Sequence, residues 1–211
     1  MGALLWYRFR MLWKQFKWLF IVMIAVAVVV LAVALVCGRS ILEEEHFYFG
    51  FSIGFLSIYT AMLPIFVLQT EEKEKNIDLL LTMPWSRKQI AIGNYAMTWI
   101  FAAVMGIYSL LLTTVLQEDW EMIAFSAGII LLANTFYIPL FLFLGGQRAL
   151  VVLMLLGAAC GIGGKEWLPH LPESVKSLPS AAIFGGIAVV LIVLHGISIC
   201  LSIWKYQKKD F

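Results

Sequence analysis

Six long stretches of this chain contain no Asp, Glu, Lys or Arg. They run Trp18–Gly38, Phe47–Thr70, Gln89–Gln117, Met122–Gln147, Ala149–Gly164 and Leu178–Trp204, the last broken only by His195. A hydrocarbon core about 30 Å thick is crossed by about 20 apolar residues in helical form. The runs therefore predict six spans, over 18–38, 47–69, 90–116, 122–146, 149–164 and 181–204. The fifth is the shortest, and only Gln147 and Arg148 separate it from the fourth. Pro139 falls inside the fourth, where a proline can kink a helix, and Asn134 is that span's one strongly polar side chain.

Composition excludes the soluble alternatives. The chain is 62% hydrophobic and only 13% charged, with a mean hydropathy of +0.92, whereas soluble domains carry about twice that charge fraction. A cytosolic enzyme, a secreted disulfide scaffold and a disordered tail all fall away. A net charge of +2 gives no footing for a nucleic-acid partner. Cys37, Cys160 and Cys200 lie far apart without metal-ligand spacing, which predicts buried free thiols.

Charge placement sets the expected orientation. With the N-terminus inside, the inner segments hold Arg8, Arg10, Lys14, Lys17, Lys73, Lys75, Arg87, Lys88, Arg148, Lys205, Lys208 and Lys209. The outer loops hold only Arg39, Lys165 and Lys176, and carry the acidic groups Glu43–Glu45, Glu118, Asp119 and Glu121. Cytoplasmic flanks retain positive charge, so both termini are expected in the cytoplasm. Residues 1–17 are expected to form an interfacial amphipathic helix rather than a cleavable signal. Leu5, Phe9, Leu12, Trp13 and Phe16 share one face, Arg10, Lys14 and Lys17 another, and the apolar run that follows is too long for a signal peptide. Trp6 stands where myristoylation needs Ser or Thr.

The polar segment between the second and third spans carries the most information. It reads Glu71-Glu72-Lys73-Glu74-Lys75, then Asn76 to Pro84, then Trp85-Ser86-Arg87-Lys88-Gln89. Acidic residues at its start favour a helix N-terminus, and Glu71 with Lys75 is spaced as an i,i+4 pair. Ile77, Leu80 and Leu81 fall on one side of a short helix, expected over 70–84. Pro84 biases Met83 away from helix and stops it. Ser86 with Gln89 has capping-box spacing for the start of the third span. A solvated loop has no need of Leu79-Leu80-Leu81, so apolar side chains bracketed by charge point to a docking surface for another protein.

The string EEKEKNIDLLLTMPWSRKQIAIGNY resembles the loop between the second and third helices of ABC-2 type permeases. It is most similar to their small six-helix branch, which includes exporters of bacitracin-like antibiotics and of phenol-soluble modulins. One departure is Lys75-Asn76, where many relatives carry Gly-Thr before the position of Ile77. The resemblance implies an all-α integral membrane protein, similar to the type V ABC exporters, with six transmembrane helices after the interfacial helix. It implies that the loop is a coupling helix seated in a separate cytoplasmic ATPase, with Glu71, Glu72, Glu74, Asp78, Leu80, Leu81, Pro84, Ser86 and Arg87 in that role. Glu71 to Asp78 would meet basic residues of the ATPase, and Leu80 and Leu81 would fill its groove. It further implies two ATPase copies, a second permease copy (identical or related), and ATP and Mg on the ATPase only. The location implied is a bacterial cell membrane. The apolar, aromatic interior suits an amphipathic peptide or a lipophilic antibiotic as the exported solute.

Other motifs are weaker. Gly50-Phe51-Ser52-Ile53-Gly54 matches G-x-S-x-G, but a nucleophile elbow needs a strand-to-helix turn and this stretch lies in a span, where it reads as G-x-x-x-G packing. Gly161 to Lys165 lacks the remaining residues of a phosphate loop, so no nucleotide site is expected. Tyr59, Thr60, Asn134 and His195 are the polar candidates for a substrate path, an interhelical hydrogen bond being the other reading of Asn134 and His195. Segment 165–180, with Trp167 and three prolines, reads as an interfacial anchor or an outer gate. The rival class is a scaffold or secondary transporter without an ATPase. Ion-coupled carriers usually hold acidic groups within spans, and none of the thirteen Asp and Glu residues lies in a span interior.

Overall fold

A computed structural model describes residues 2–37, 46–73, 85–116, 121–167 and 179–208. They form six helices: α1 (Gly2–Cys37), α2 (His46–Lys73), α3 (Arg87–Leu116), α4 (Glu121–Leu144), α5 (Gly146–Trp167) and α6 (Ser180–Lys208). There is no strand among the described residues. Five of the helices are long and apolar enough to cross a membrane, and α5 adds a shorter apolar stretch over Gly146–Ala158. The fold is an all-α, multi-pass membrane protein. Ser52 and Gly54 lie within α2, and Gly161 to Lys165 within α5, so neither motif sits in the strand-and-turn setting its chemistry requires. Among the described residues nothing lies within 4 Å of a Cβ placed at Gly54.

Helix α1 is one hydrogen-bonded run broken at Phe16, whose φ of −118° and ψ of 21° are not helical. Phe9 and Phe20 would stand about 16 Å apart along a straight axis. Their ring centroids are 6.2 Å apart, so the N-terminal arm folds back on the span. Leu4, Arg8 and Leu12, four residues apart, form the buried stripe of this arm. Trp6, Phe9 and Trp13 remain exposed on another side, suited to contact with lipid.

Helix α4 is the hub, packing against α2, α3, α5 and α6, while α1 packs on α2 and α3. In lipid an apolar side chain gains little by leaving its acyl neighbours, so helix association leans on close packing and hydrogen bonds. The bonds here form two donor chains. Trp99 Nε1 donates to His195 Nε2 at 2.8 Å. The Nδ1 therefore carries the proton and donates to Thr135 Oγ1 at 2.6 Å, which donates in turn to Leu131 O. In the second chain Ser198 Oγ donates to Thr135 O, so it accepts from the Tyr95 hydroxyl, which accepts from Ser202. Every hydroxyl donates once, and α3, α4 and α6 are stitched together. Asn134 spends both amide hydrogens, on Ala61 O of α2 and on Ile130 O of its own helix.

Cys200 is free, as the spacing predicts, but exposed rather than buried. It lies on the side of α6 away from the stitched seam, where an apolar thiol is at ease in lipid.

Because Tyr95 is the middle link of its chain, Tyr95→Phe leaves the Ser202 and Ser198 hydroxyls each short of a partner. Interhelical bonds in membranes average about 0.6 kcal/mol, so a loss of about 1 kcal/mol is expected, read as a lowered unfolding midpoint in detergent. An unchanged midpoint would remove the seam as a source of stability.

Candidate coupling site at the root of the polar loop

The polar loop leaves the membrane from the last turn of α2, Thr70 to Lys73, and three consecutive side chains of that turn are held by other helices. Thr70 Oγ1 donates to Gln15 Oε1 of α1 at 2.9 Å. Glu71 receives a forked pair from Arg8: Nε to Oε1 at 2.7 Å and Nη2 to Oε2 at 3.1 Å. Glu72 Oε2 accepts from the backbone N–H of Gly146, the first residue of α5, at 2.7 Å. On the far side of the loop, Ser86 and Gln89 make the reciprocal bonds that their spacing predicts, at 2.9 and 3.2 Å. Arg87 Nη1 then donates to Gln207 O near the end of α6 at 3.1 Å.

The Arg8–Glu71 pair is buried, with side-chain exposures of 0% and 1%. Planar guanidinium against planar carboxylate fixes both distance and orientation, which a lysine or a single bond would not do. Burial of this kind contributes little net stability but makes loss of either partner costly. The backbone is shaped to admit it. A Cβ at Gly93 of α3 would lie 2.7 Å from Leu4 Cδ2 and 3.0 Å from Arg8 Nη1, so the glycine leaves room for these two side chains of the arm as they stand.

The turn between α4 and α5 is equally constrained. Gly145 has φ +81°, in the left-handed region. A Cβ there would meet Glu72 Oε1 at 3.0 Å, and one at Gly146 would run into Glu72 Oε2. The carboxylate sits against the start of α5, where orphan N–H groups and the helix dipole favour negative charge.

Of the residues assigned to coupling from the sequence, Glu71, Glu72, Ser86 and Arg87 are described, and all four are bonded within the chain. Glu71 faces Arg8 rather than outward, because a buried carboxylate at the end of a span needs its cation close by. Glu74, Asp78, Leu80, Leu81 and Pro84 lie outside the described residues. Of the path candidates, Asn134 and His195 are interhelical ties, and His195 has no ring nitrogen left for a solute in this arrangement. Thr60 is buried in α2 beside Ala61, and Tyr59 is half-buried with its ring 4.3 Å from that of Phe55. Sequence reasoning counted Arg8 only as a positive charge, and passed over Gln15, Gly93, Gly145 and Gly146. A cation on the Leu4–Arg8–Leu12 stripe was the available signal.

Two outcomes follow. Arg8→Met or Glu71→Leu alone strands a buried charge and costs about 3–5 kcal/mol, whereas the two together recover most of it. Thermal unfolding of the purified single and double variants checks this, and equal losses in all three would refute the pairing. Gly145→Ala places a side chain in the left-handed region at a cost of about 1–2 kcal/mol, also read from the midpoint.

A family model described as "ABC-2 family transporter protein" matches residues 4–207, nearly the whole chain. Comparison with curated proteins and with solved structures found no match. The matched region contains the α1 arm from Leu4, all the described spans and the polar loop. A family defined by the membrane component of ABC transporters accounts for the all-helical, multi-pass fold and implies an ATPase as a separate subunit. On this evidence the chain belongs to the ABC-2 transporter family, as a membrane-spanning permease subunit.

Proposed function

We propose that this permease is one half of the pathway of an ATP-driven exporter. A second permease copy, identical or related, completes the pathway, and two cytoplasmic ATPase subunits bind ATP and Mg. Both termini lie in the cytoplasm of a bacterial cell, on the side that holds twelve of the fifteen Lys and Arg residues under the expected topology. The solute is an amphipathic peptide, of the modulin kind, or a lipophilic antibiotic. The apolar and aromatic composition supports that substrate class.

The observation that carries this reading is the clamp on the root of the loop. An ATPase that takes up the segment after Lys73, with Leu80 and Leu81 in its groove and Glu74 and Asp78 against its basic residues, would pull on α2. A loop hung on a frayed helix end would absorb that pull. Here Thr70 and Glu71 bind the end of α2 to the α1 arm, so a displacement of α2 carries the arm with it. Ser86 starts α3 at once on the other side of the loop, and Arg87 joins that start to α6. Both ends of the input segment are thus rigidly seated.

Leu80→Asp puts a charge where the ATPase groove is apolar. Transport per ATP hydrolysed should fall at least about tenfold, the factor that corresponds to about 1.4 kcal/mol, while the subunit still inserts. The assay is export of an amphipathic peptide from vesicles holding the co-purified complex. Unchanged coupling would sink the assignment, and a permease that purifies with no ATPase would favour a scaffold or an ion-coupled carrier.

A further inference from the structure

We propose that Glu72 is a positioning residue that links the polar loop to α5, with Gly145 as the hinge on which α5 turns. The inference rests on the reading of the loop as the point of energy input, and it gives that input a second output besides α1.

Adjacent residues on a helix leave its axis about 100° apart. Glu71 and Glu72 therefore address different neighbours from one turn: Glu71 reaches Arg8 on α1, and Glu72 reaches Gly146 at the start of α5. Helices α4 and α5 are separated by Gly145 alone, at φ +81°. Its N–H still bonds Phe141 O at 2.9 Å, and its carbonyl still accepts from Ala149 at 3.0 Å, so the joint is ordered and narrow. A glycine can move through the left-handed and right-handed regions with little steric cost, so a rotation there need not deform the hub helix α4.

Helix α5 is also lightly held. It packs on α4 and, near its base, on α2, while Val151, Met154, Leu155 and Leu156 along its length are exposed. Apolar contact with lipid does not resist a swing, since lipid offers those side chains equal company. The bond from Glu72 to the Gly146 N–H is then the latch that sets the angle of α5. When the end of α2 shifts, the carboxylate shifts with it, and α5 follows or is released.

The test uses the full-length permease in lipid nanodiscs, with its three cysteines replaced by serine. Spin labels at Met154→Cys on α5 and Leu132→Cys on α4 report the inter-helix distance. The parent chain should give one narrow distribution. Glu72→Ala should raise the population of a second distance about tenfold, as for loss of one hydrogen bond to a charged group. Glu72→Gln keeps an oxygen acceptor and should retain the parent distribution. The same distribution in all three chains would overturn the proposal, as would a Glu72→Gln chain that behaves as Glu72→Ala does.

In the complex with its ATPase, the ATP-driven change in this distance should fall further in Glu72→Ala than hydrolysis does, and Glu72→Gln should restore it. Equal loss of both, without rescue, would mark a merely structural role and overturn the proposal. Should the parent complex show no ATPase at all, the coupling reading fails, while the nucleotide-free distances still decide the latch.

Discussion

A forked ion pair between Arg8 and Glu71, shut away from solvent, decides how the two ends of this protein's first hairpin of helices sit. The guanidinium fixes the carboxylate in two places. Lying along the arm, Arg8 can reach Glu71 only because α1 breaks at Phe16 and folds back. Gly93 leaves room where Leu4 and Arg8 of the arm lie on α3. The kink thus brings the cation of the buried stripe to its carboxylate.

Further into the bundle the same economy appears with neutral groups. His195 and Asn134 are expensive to place in a span, and both ring nitrogens of the one and both amide hydrogens of the other are engaged. The tautomer of His195 follows from its neighbours: indole only donates, so Nε2 accepts and the proton sits on Nδ1. Since α4 touches four other helices, its bonds tie it to several of them: to α2 through Asn134, to α3 through Ser126 and to α6 through Thr135.

Much of this was legible in the sequence. Charge-free runs marked the helices, because a span cannot carry unpaired charge through hydrocarbon. Ser86 and Gln89 were found bonded as their spacing required, since a capping box is a local device. What stayed hidden was long-range. Arg8 and Glu71 are 63 residues apart, and Glu72 and Gly146 are 74 apart. Nothing in the text of Gly145-Gly146 separates those glycines from the other fourteen. Gly145 is required by its left-handed backbone, and Gly146 lies against a carboxylate supplied by another helix. Glu71 read naturally as a charge for a partner protein, because a run of acids beside a loop is usually solvated. Only the fold shows that the first acid of the run turns inward.

The use of ionic and polar links at the root of the loop follows from the solvent. Two helices joined only by leucine contacts in a bilayer can slide, since each exchanged contact is replaced by an acyl chain of the same quality. Displacement applied at one helix would then dissipate into lipid. A bidentate ion pair or a carboxylate on a helix N-terminus has no such substitute, so separating the partners costs energy from the first ångström. A membrane protein that has to carry motion from a loop into particular helices therefore needs polar bonds at the few places where motion crosses between helices. Apolar packing serves everywhere else. In this chain the crossings from α2 to α1 and from α2 to α5 are bonds of that polar kind, made by three consecutive residues, Thr70, Glu71 and Glu72.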